Sequence, residues 1–312
     1  MALLVDALNR CWAPYFPGEA PVTPATFKRS IRDLQVWCSS CMVAFSGSDP
    51  IGVLIGAKRA SGTLIHKIAV HPDHLRQGHG RHLLASLGSK LAILGPPRMI
   101  AEVPETLAAT CGLFSASGYA EQAVLTDYVL QHRESDLRSG DHGGGFVIPV
   151  TVDDLAANGL LGEAHPQTCW ERSVETLTAR KDDIEGLAVA SDERIESYVL
   201  YVRPEENLEI GKLGNLEISR ALATASALEA PAVAGAMPDS QITTSPNFHI
   251  LSLRSFVDDG GVRLKQLLAR LGTGTFRFPK VHPAETSQEL LATLGFRAAA
   301  GHLVYAARAR SA

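Results

Sequence analysis

Residues 68–84 read Ile-Ala-Val-His-Pro-Asp-His-Leu-Arg-Gln-Gly-His-Gly-Arg-His-Leu-Leu, and this stretch constrains the fold more than any other. An apolar strand runs into Pro72, then into a Gly78-His79-Gly80 turn, then into a helix expected to begin at Arg81. Glycine has no Cβ, so the backbone at the turn can bend sharply and approach a ligand closely. A helix that opens there leaves its first N–H groups unpaired and carries partial positive charge at that end. Such a terminus accepts an anion such as phosphate, and Arg76 and Arg81 add full charges beside it.

The surrounding pattern reads as an α/β order. Leu4 to Phe16 is apolar at helical spacing, and Thr23-Pro24-Ala25-Thr26 marks a second helix start with proline in its first turn. Met42 to Phe45 and Ile51 to Ala57 are short apolar runs joined by Ser46-Gly47-Ser48-Asp49-Pro50, a hairpin signal. Thr63 to Val70 forms the next strand, and the helix after the glycine turn ends at Gly95-Pro96-Pro97. Met99 to Val103 reads as a strand, Glu105 to Ser117 as a helix and Val124 to Leu130 as a closing strand.

The strand ending Val70-x-Pro72, the basic turn with Gly78 and Gly80, and the apolar pair Leu83-Leu84 resemble the acyl-CoA loop of the GNAT superfamily of N-acetyltransferases. The element order over residues 1–132 resembles the same superfamily. The resemblance implies an α/β (α+β) fold, with a mixed, mostly antiparallel twisted sheet flanked by helices, and acetyl-CoA as acyl donor. It implies that backbone groups of Ile68, Ala69 and Val70 polarise the thioester carbonyl. It also implies that the loop residues Leu75, Arg76, Gln77, Gly78, His79, Gly80 and Arg81 hold the pyrophosphate. Leu75 departs from the superfamily's Arg or Gln, and Arg76 next to it supplies a charge.

Ser139-Gly140-Asp141-His142-Gly143-Gly144-Gly145 is small and polar and reads as a linker between residues 1–138 and residues 146–312. The second half ends Leu290-Leu291-Ala292-Thr293-Leu294-Gly295-Phe296 and then Leu303 to Ala307, an echo of Phe114 to Tyr119 and then Val124 to Leu130. Phe248 to Val257 reads as a strand and Val262 to Leu271 as a helix, as on either side of the first loop. Internal duplication accounts for this, giving a tandem GNAT fold with an architecture similar to the mycothiol synthase family. In the second loop, Asp258-Asp259-Gly260-Gly261-Val262-Arg263 sets two carboxylates where a pyrophosphate would sit, and like charges repel. An irregular insert from Glu205 to Asn247 also interrupts the pattern. Catalysis is therefore expected in the first half, with the second completing the fold or walling the acceptor pocket.

Acyl transfer from a thioester to an amine needs a deprotonated amine, a polarised carbonyl and a proton for the leaving thiolate. At the superfamily's carboxylate-base position stands Leu64, which cannot act. His66, two residues on with the same strand facing, has an ordinary pKa suited to a base near neutral pH. Glu102 is the other candidate, because a lone Glu inside an apolar strand is seldom buried without a partner or a role. The acid position is Phe114, which has no proton to give, and the cofactor-bonding Asn position is Leu107. Cys111, one helical turn before Phe114, reads as a buried structural thiol.

Composition closes off other classes. A chain of 312 residues suggests two domains, and 46% hydrophobic with 20% charged residues marks a globular protein. A net charge of -4 without a basic run argues against nucleic acid as partner. No stretch approaches the roughly 18 to 20 apolar residues of a membrane span, and the N-terminus lacks signal-peptide features, so a cytoplasmic location and no membrane partner are expected. The Cys38-Ser-Ser-Cys41 pair leads into a strand and reads as structural thiols, and five cysteines are too few for a disulfide scaffold. His71, His74, His79 and His82 read as solvated loop residues near an anion, with no metal expected. The resulting expectation is an N-acetyltransferase that moves an acetyl group from acetyl-CoA to a small-molecule or peptide amine by direct attack in a ternary complex, with a homodimer left open. The alternative is a catalytically silent acyl-CoA-binding sensor or interaction module, favoured by the departures at Leu64, Phe114 and Leu107 together.

Overall fold

Turn chemistry and apolar spacing lay out the first half in the expected order. In the computed structural model, which describes residues 1–18, 20–133, 145–161, 168–203 and 247–310, α1 (Ala2–Cys11) buries Val5, Ala7, Leu8 and Cys11 along one stripe. Helix α2 (Pro24–Leu34) is capped by Thr23 in reciprocal bonds with Thr26, and Pro24 sits in its first turn, where a missing N–H costs nothing. Strands β1 (Met42–Ser46) and β2 (Asp49–Arg59) form the hairpin, followed by β3 (Gly62–Val70), α3 (His79–Leu94), β4 (Arg98–Pro104), α4 (Ala108–Ala116) and β5 (Ala120–His132). The second half contributes β6 (Phe146–Pro149), α5 (Val152–Ala157), α6 (Val174–Ala179), β7 (Glu185–Ala190), β8 (Ile195–Val202), β9 (Asn247–Ser255), α7 (Val262–Leu271), β10 (Gly274–Val281), α8 (Gln288–Thr293) and β11 (Arg297–Arg308). The linker at residues 139–144 and the insert up to residue 246 lie outside the described residues.

Two helix starts differ from the sequence reading. Gly78 takes φ 86° as the residue preceding α3, so the helix begins at His79 and brings Gly80 and Arg81 into its first turn. Helix α4 begins at Ala108, not at Glu105, because the chain first extends the sheet, with the Glu105 N–H on the Gly301 carbonyl at 3.0 Å, and Leu107 at φ -89°, ψ 62° is still outside the helical region.

Among the described residues the strands form one sheet of order β1-β2-β3-β4-β11-β5-β10-β9-β8-β7-β6. Only β3–β4 and β9–β10 pair in parallel; every other neighbouring pair is antiparallel. The halves finish each other's sheets. The C-terminal strand β11 lies between β4 and β5, matching Val304 to Glu102 on one side and Leu303 to Val124 on the other. In turn β5 lies between β11 and β10, with Leu130 opposite Phe276.

Each face of the first half-sheet carries its own core. On one face Leu83, Leu84, Leu87 and Leu91 of α3 meet Met99, Ala101, Val103 and Phe114, and β11 adds Tyr305. On the other, α1 and α2 pack on Val53, Ile55 and Leu64, and Trp170 from the second half joins them. No helix among the described residues is long and apolar enough to cross a membrane.

Candidate acyl-donor and acceptor site

Strands β3 and β4 pair only at Thr63↔Met99 and Leu64↔Ile100, and beyond Leu64 they part. The cause is a bulge. Ile65 faces Gly56 and Lys67 faces Ile55, which leaves His66 without a partner on β2 and bends β3. The bulge also overrides simple alternation, so His66 and Lys67 line the same shallow cleft with Leu8, Phe27 and Ile55. His66 thus shares the facing of Leu64, as its spacing predicts.

Beyond the bulge, the His71 N–H reaches the Ile51 carbonyl at 2.8 Å, which sets the phase of the β2–β3 ladder. Alternation then turns Ala69 toward β2 and leaves the N–H and C=O groups of Ile68 and Val70 directed into the gap. Of the expected trio, Ile68 and Val70 can meet a ligand lying between the strands.

The chain leaves β3 through the 3-10 turn Pro72–His74, and Leu75 stands exposed. Arg76 takes φ 63°, a left-handed conformation unusual for a residue with a side chain. No side chain caps α3, and its first bond runs from the His82 N–H to the Gly78 carbonyl at 3.0 Å. The N–H groups of Gly78, His79, Gly80 and Arg81 precede that bond and carry the helix's partial positive charge. Gly80 is held tightly: a Cβ there would come within 3.1 Å of Leu113 on α4. The loop side chains pair loosely, His79 with Gln77 at 3.4 Å, and the His71, His74 and His79 rings sit edge to edge at 6.1 and 6.3 Å.

The second loop has the same backbone with different contents. Gly261 precedes α7 at φ 85°, close to the 86° of Gly78. Aligning the two glycines sets Asp259 at the position of Arg76. The Asp259 carboxylate accepts from the Gly261 N–H at 2.9 Å and the Arg263 N–H at 3.0 Å, and pairs with the Arg263 guanidinium at 2.9 Å. Glu196 holds that guanidinium from the far side at 2.6 Å. Burial works to raise the Asp259 pKa, but the bonds from Arg263 and the backbone outweigh it and hold the carboxylate below its usual range. An internal carboxylate therefore occupies the helix start that is uncapped in the first half.

On the α1–α2 side, His66 and Glu102 meet residues that the sequence did not signal. Glu102 accepts the Trp170 N–H at 2.8 Å on one oxygen and pairs with Lys280 at 3.1 Å on the other. Lys280 also reaches Glu171 at 3.2 Å. Burial pulls the Lys280 pKa down, but Glu171 and Glu102 outweigh it and raise it above the ordinary lysine value. Burial pushes Glu171 up, but Lys280 and the neighbouring His66 outweigh it and bring it to about 2. Burial, reinforced by Lys67, pushes His66 down to about 3. His66 makes no hydrogen bond among the described residues and is neutral near pH 7. Trp170 anchors this corner, donating its indole N–H to the Leu34 carbonyl at 2.9 Å beneath the Arg59 guanidinium, 3.9 Å from the ring. The one available signal for Lys280 was a lysine in the apolar strand Phe276-Arg-Phe-Pro-Lys-Val, the same kind of signal that singled out Glu102.

Phe114 is fully buried, stacked on Tyr305 at 5.6 Å and edge-on to Tyr119 at 5.1 Å. The Cys111 thiol points to the Pro104 carbonyl at 3.8 Å. Of the CxxC pair, Cys38 is exposed and Cys41 donates to the Trp37 carbonyl at 3.3 Å, with burial pushing its thiol up to about 11; both are free. Among the described residues, no group of three or more His, Cys, Asp or Glu side chains is arranged to hold a metal ion.

Residues 4–119 match the model of the acetyltransferase (GNAT) family. A tandem GNAT protein from the clavulanic acid biosynthesis pathway is similar over 100% of this chain and 96% of its own, with a TM-score of 0.58 at 16% identity. A GCN5-related N-acetyltransferase from Anabaena variabilis covers 99% of this chain and 70% of its own (TM-score 0.59, 10% identity). One from Sphaerobacter thermophilus covers 98% and 91% (TM-score 0.56, 10% identity). None of the curated proteins matches the chain in sequence. The chain has a tandem GNAT fold, and its residues 4–119 carry the match to the acetyltransferase (GNAT) family.

Proposed function

We propose that the first half binds acetyl-CoA at the β3–α3 loop and transfers the acetyl group to an amine by direct attack in a ternary complex. The observation that carries this reading is the uncapped start of α3 at Gly78, set beside the gap-facing groups of Ile68 and Val70. The pyrophosphate would lie on the N–H groups of Gly78 to Arg81, with Arg76 and Arg81 adding charge. The thioester carbonyl would take the Ile68 N–H, which strengthens as the carbonyl oxygen gains charge.

The acceptor, a small-molecule or peptide amine, would approach from the α1–α2 side, walled by the second half at Trp170 and Glu171. His66 meets it as a neutral imidazole able to accept a hydrogen bond from the amine. With a pKa near 3 it is a feeble base, so the amine sheds its proton largely to solvent. Glu102, tied on both oxygens, positions Lys280 and through it Glu171. The second half would leave acetyl-CoA alone because Asp259 already fills its cradle.

A catalytically silent acyl-CoA sensor is the second reading. The same two facts favour it: His66 is a weak base, and Phe114 is a buried hydrocarbon at the acid position. Release of thiol from acetyl-CoA across a panel of amines separates the two. Turnover above background with any amine establishes transfer; binding without turnover leaves the sensor.

A further inference from the structure

The departing sulfur needs a proton, and the groups around α4 are poorly placed to give one. Phe114 has none, Cys111 faces the Pro104 carbonyl, the Tyr119 hydroxyl is turned inward to the Met99 sulfur at 3.5 Å, and the Tyr305 hydroxyl is engaged with Ser115 and Cys111 of the helix itself. On the opposite side of the gap, α1 ends in a 3-10 turn, Ala13–Tyr15. The Tyr15 hydroxyl donates to the Val70 carbonyl at 2.6 Å. That carbonyl is one of the groups the ladder turns into the gap, two residues along β3 from Ile68. The turn is fixed to the strand: Trp12 stacks on Phe16 at 4.6 Å, and the Lys67 ammonium lies 4.0 Å from the Trp12 ring.

We propose that Tyr15 is the general acid of the transfer, giving its phenolic proton to the coenzyme A sulfur as the thioester breaks. The assignment rests on the acetyl-CoA reading above, which puts the thioester carbonyl on Ile68 and the sulfur on the Val70 side. The amine nitrogen bonds to the acetyl carbon, the carbon–sulfur pair leaves with the sulfur, and the Tyr15 proton converts thiolate to thiol. The proton lost by the amine passes to water, and water returns one to the phenolate, which is open to solvent with Tyr15 38% exposed. Burial, aided by nearby Cys11, raises the phenol's pKa, so the hydroxyl is neutral and keeps its proton at neutral pH.

The test is Tyr15→Phe, which removes one oxygen from a surface side chain. A hydroxyl that donates to sulfur stabilises the thiolate, so coenzyme A bound to wild type should titrate, by thiolate absorbance, below free coenzyme A. Tyr15→Phe should return it toward the free value, and kcat with acetyl-CoA should fall about 10- to 100-fold. An acetyl donor whose thiol is strongly acidic should be transferred equally by both proteins. Identical thiol titrations in the two proteins, or tighter acetyl-CoA binding by Tyr15→Phe as if the hydroxyl merely competed for Val70, overturn the assignment. Failure of wild type to bind coenzyme A at all would instead overturn the acetyl-CoA reading.

Discussion

At the scale of single residues, the buried charges make stability a function of pH. His66 titrates near 3 in the fold against 6.5 in the unfolded chain, so below pH 6.5 the unfolded state takes up a proton that the folded state refuses. Its stabilisation is present above pH 6.5 and is lost as pH falls toward 3. Glu171 acts in the same direction at lower pH, its contribution fading from 4.5 toward 2. Lys280, raised, contributes fully below its ordinary 10.5 and is lost only above it. Urea unfolding should therefore give a smaller unfolding free energy at pH 4.5 than at pH 7.5, by about 1–3 kcal/mol for the His66 share. His66→Gln should lose that share, and an undiminished acid sensitivity in the variant would contradict the assignment. His66 and Glu102 were legible because polar residues in apolar strands stand out. Lys280 carried the same signal without its partners, while Glu171 and Tyr15 gave none, because their meaning comes from contacts between distant parts of the chain, which periodicity does not encode.

At the scale of elements, the two loops show how one backbone serves opposite ends. Both helices start after a left-handed glycine, but Arg76 in the first loop corresponds to Asp259 in the second. That the two loops correspond, each with a glycine before its helix and with aspartates in the second, was readable from the residues. That Asp259 bonds the helix start directly, and does more than repel an anion, needed the geometry. Replacing Asp259 with Ala removes two backbone bonds and an ion pair from the start of α7. The expected cost is about 1–2 kcal/mol in urea unfolding, in the range of lost helix caps. An unchanged midpoint would mean that water replaces the carboxylate without cost. The helix starts at His79 and Ala108 were misplaced for local reasons: Gly78 adopts a conformation that sequence permits without requiring, and Glu105 extends a ladder to a strand from the other half.

At the scale of the whole molecule, strand exchange makes the halves interdependent. In the sequence β5 and β11 are strands of similar pattern at equivalent places, and nothing in that pattern tells which half's sheet each one joins. In the fold, β11 covers β4 on one edge and β5 on the other, and Tyr305 completes the core beneath α3 and α4. Residues 1–138 expressed alone should expose those edges and that core, giving aggregation or noncooperative thermal unfolding. Co-expression with residues 146–312 should restore a cooperative transition. A monomeric 1–138 fragment that unfolds cooperatively would contradict the requirement for β11.

If the first cradle holds acetyl-CoA and the second is filled by its own carboxylate, each chain binds one equivalent. Calorimetric titration of acetyl-CoA into the full-length protein and into Arg76→Asp, which places a carboxylate where Asp259 sits in the second half, tests it most directly. The expected result is one equivalent bound per wild-type chain and at least about tenfold weaker binding by a folded Arg76→Asp. Absence of binding to wild type, two equivalents per chain, or unaltered affinity in Arg76→Asp would contradict the account.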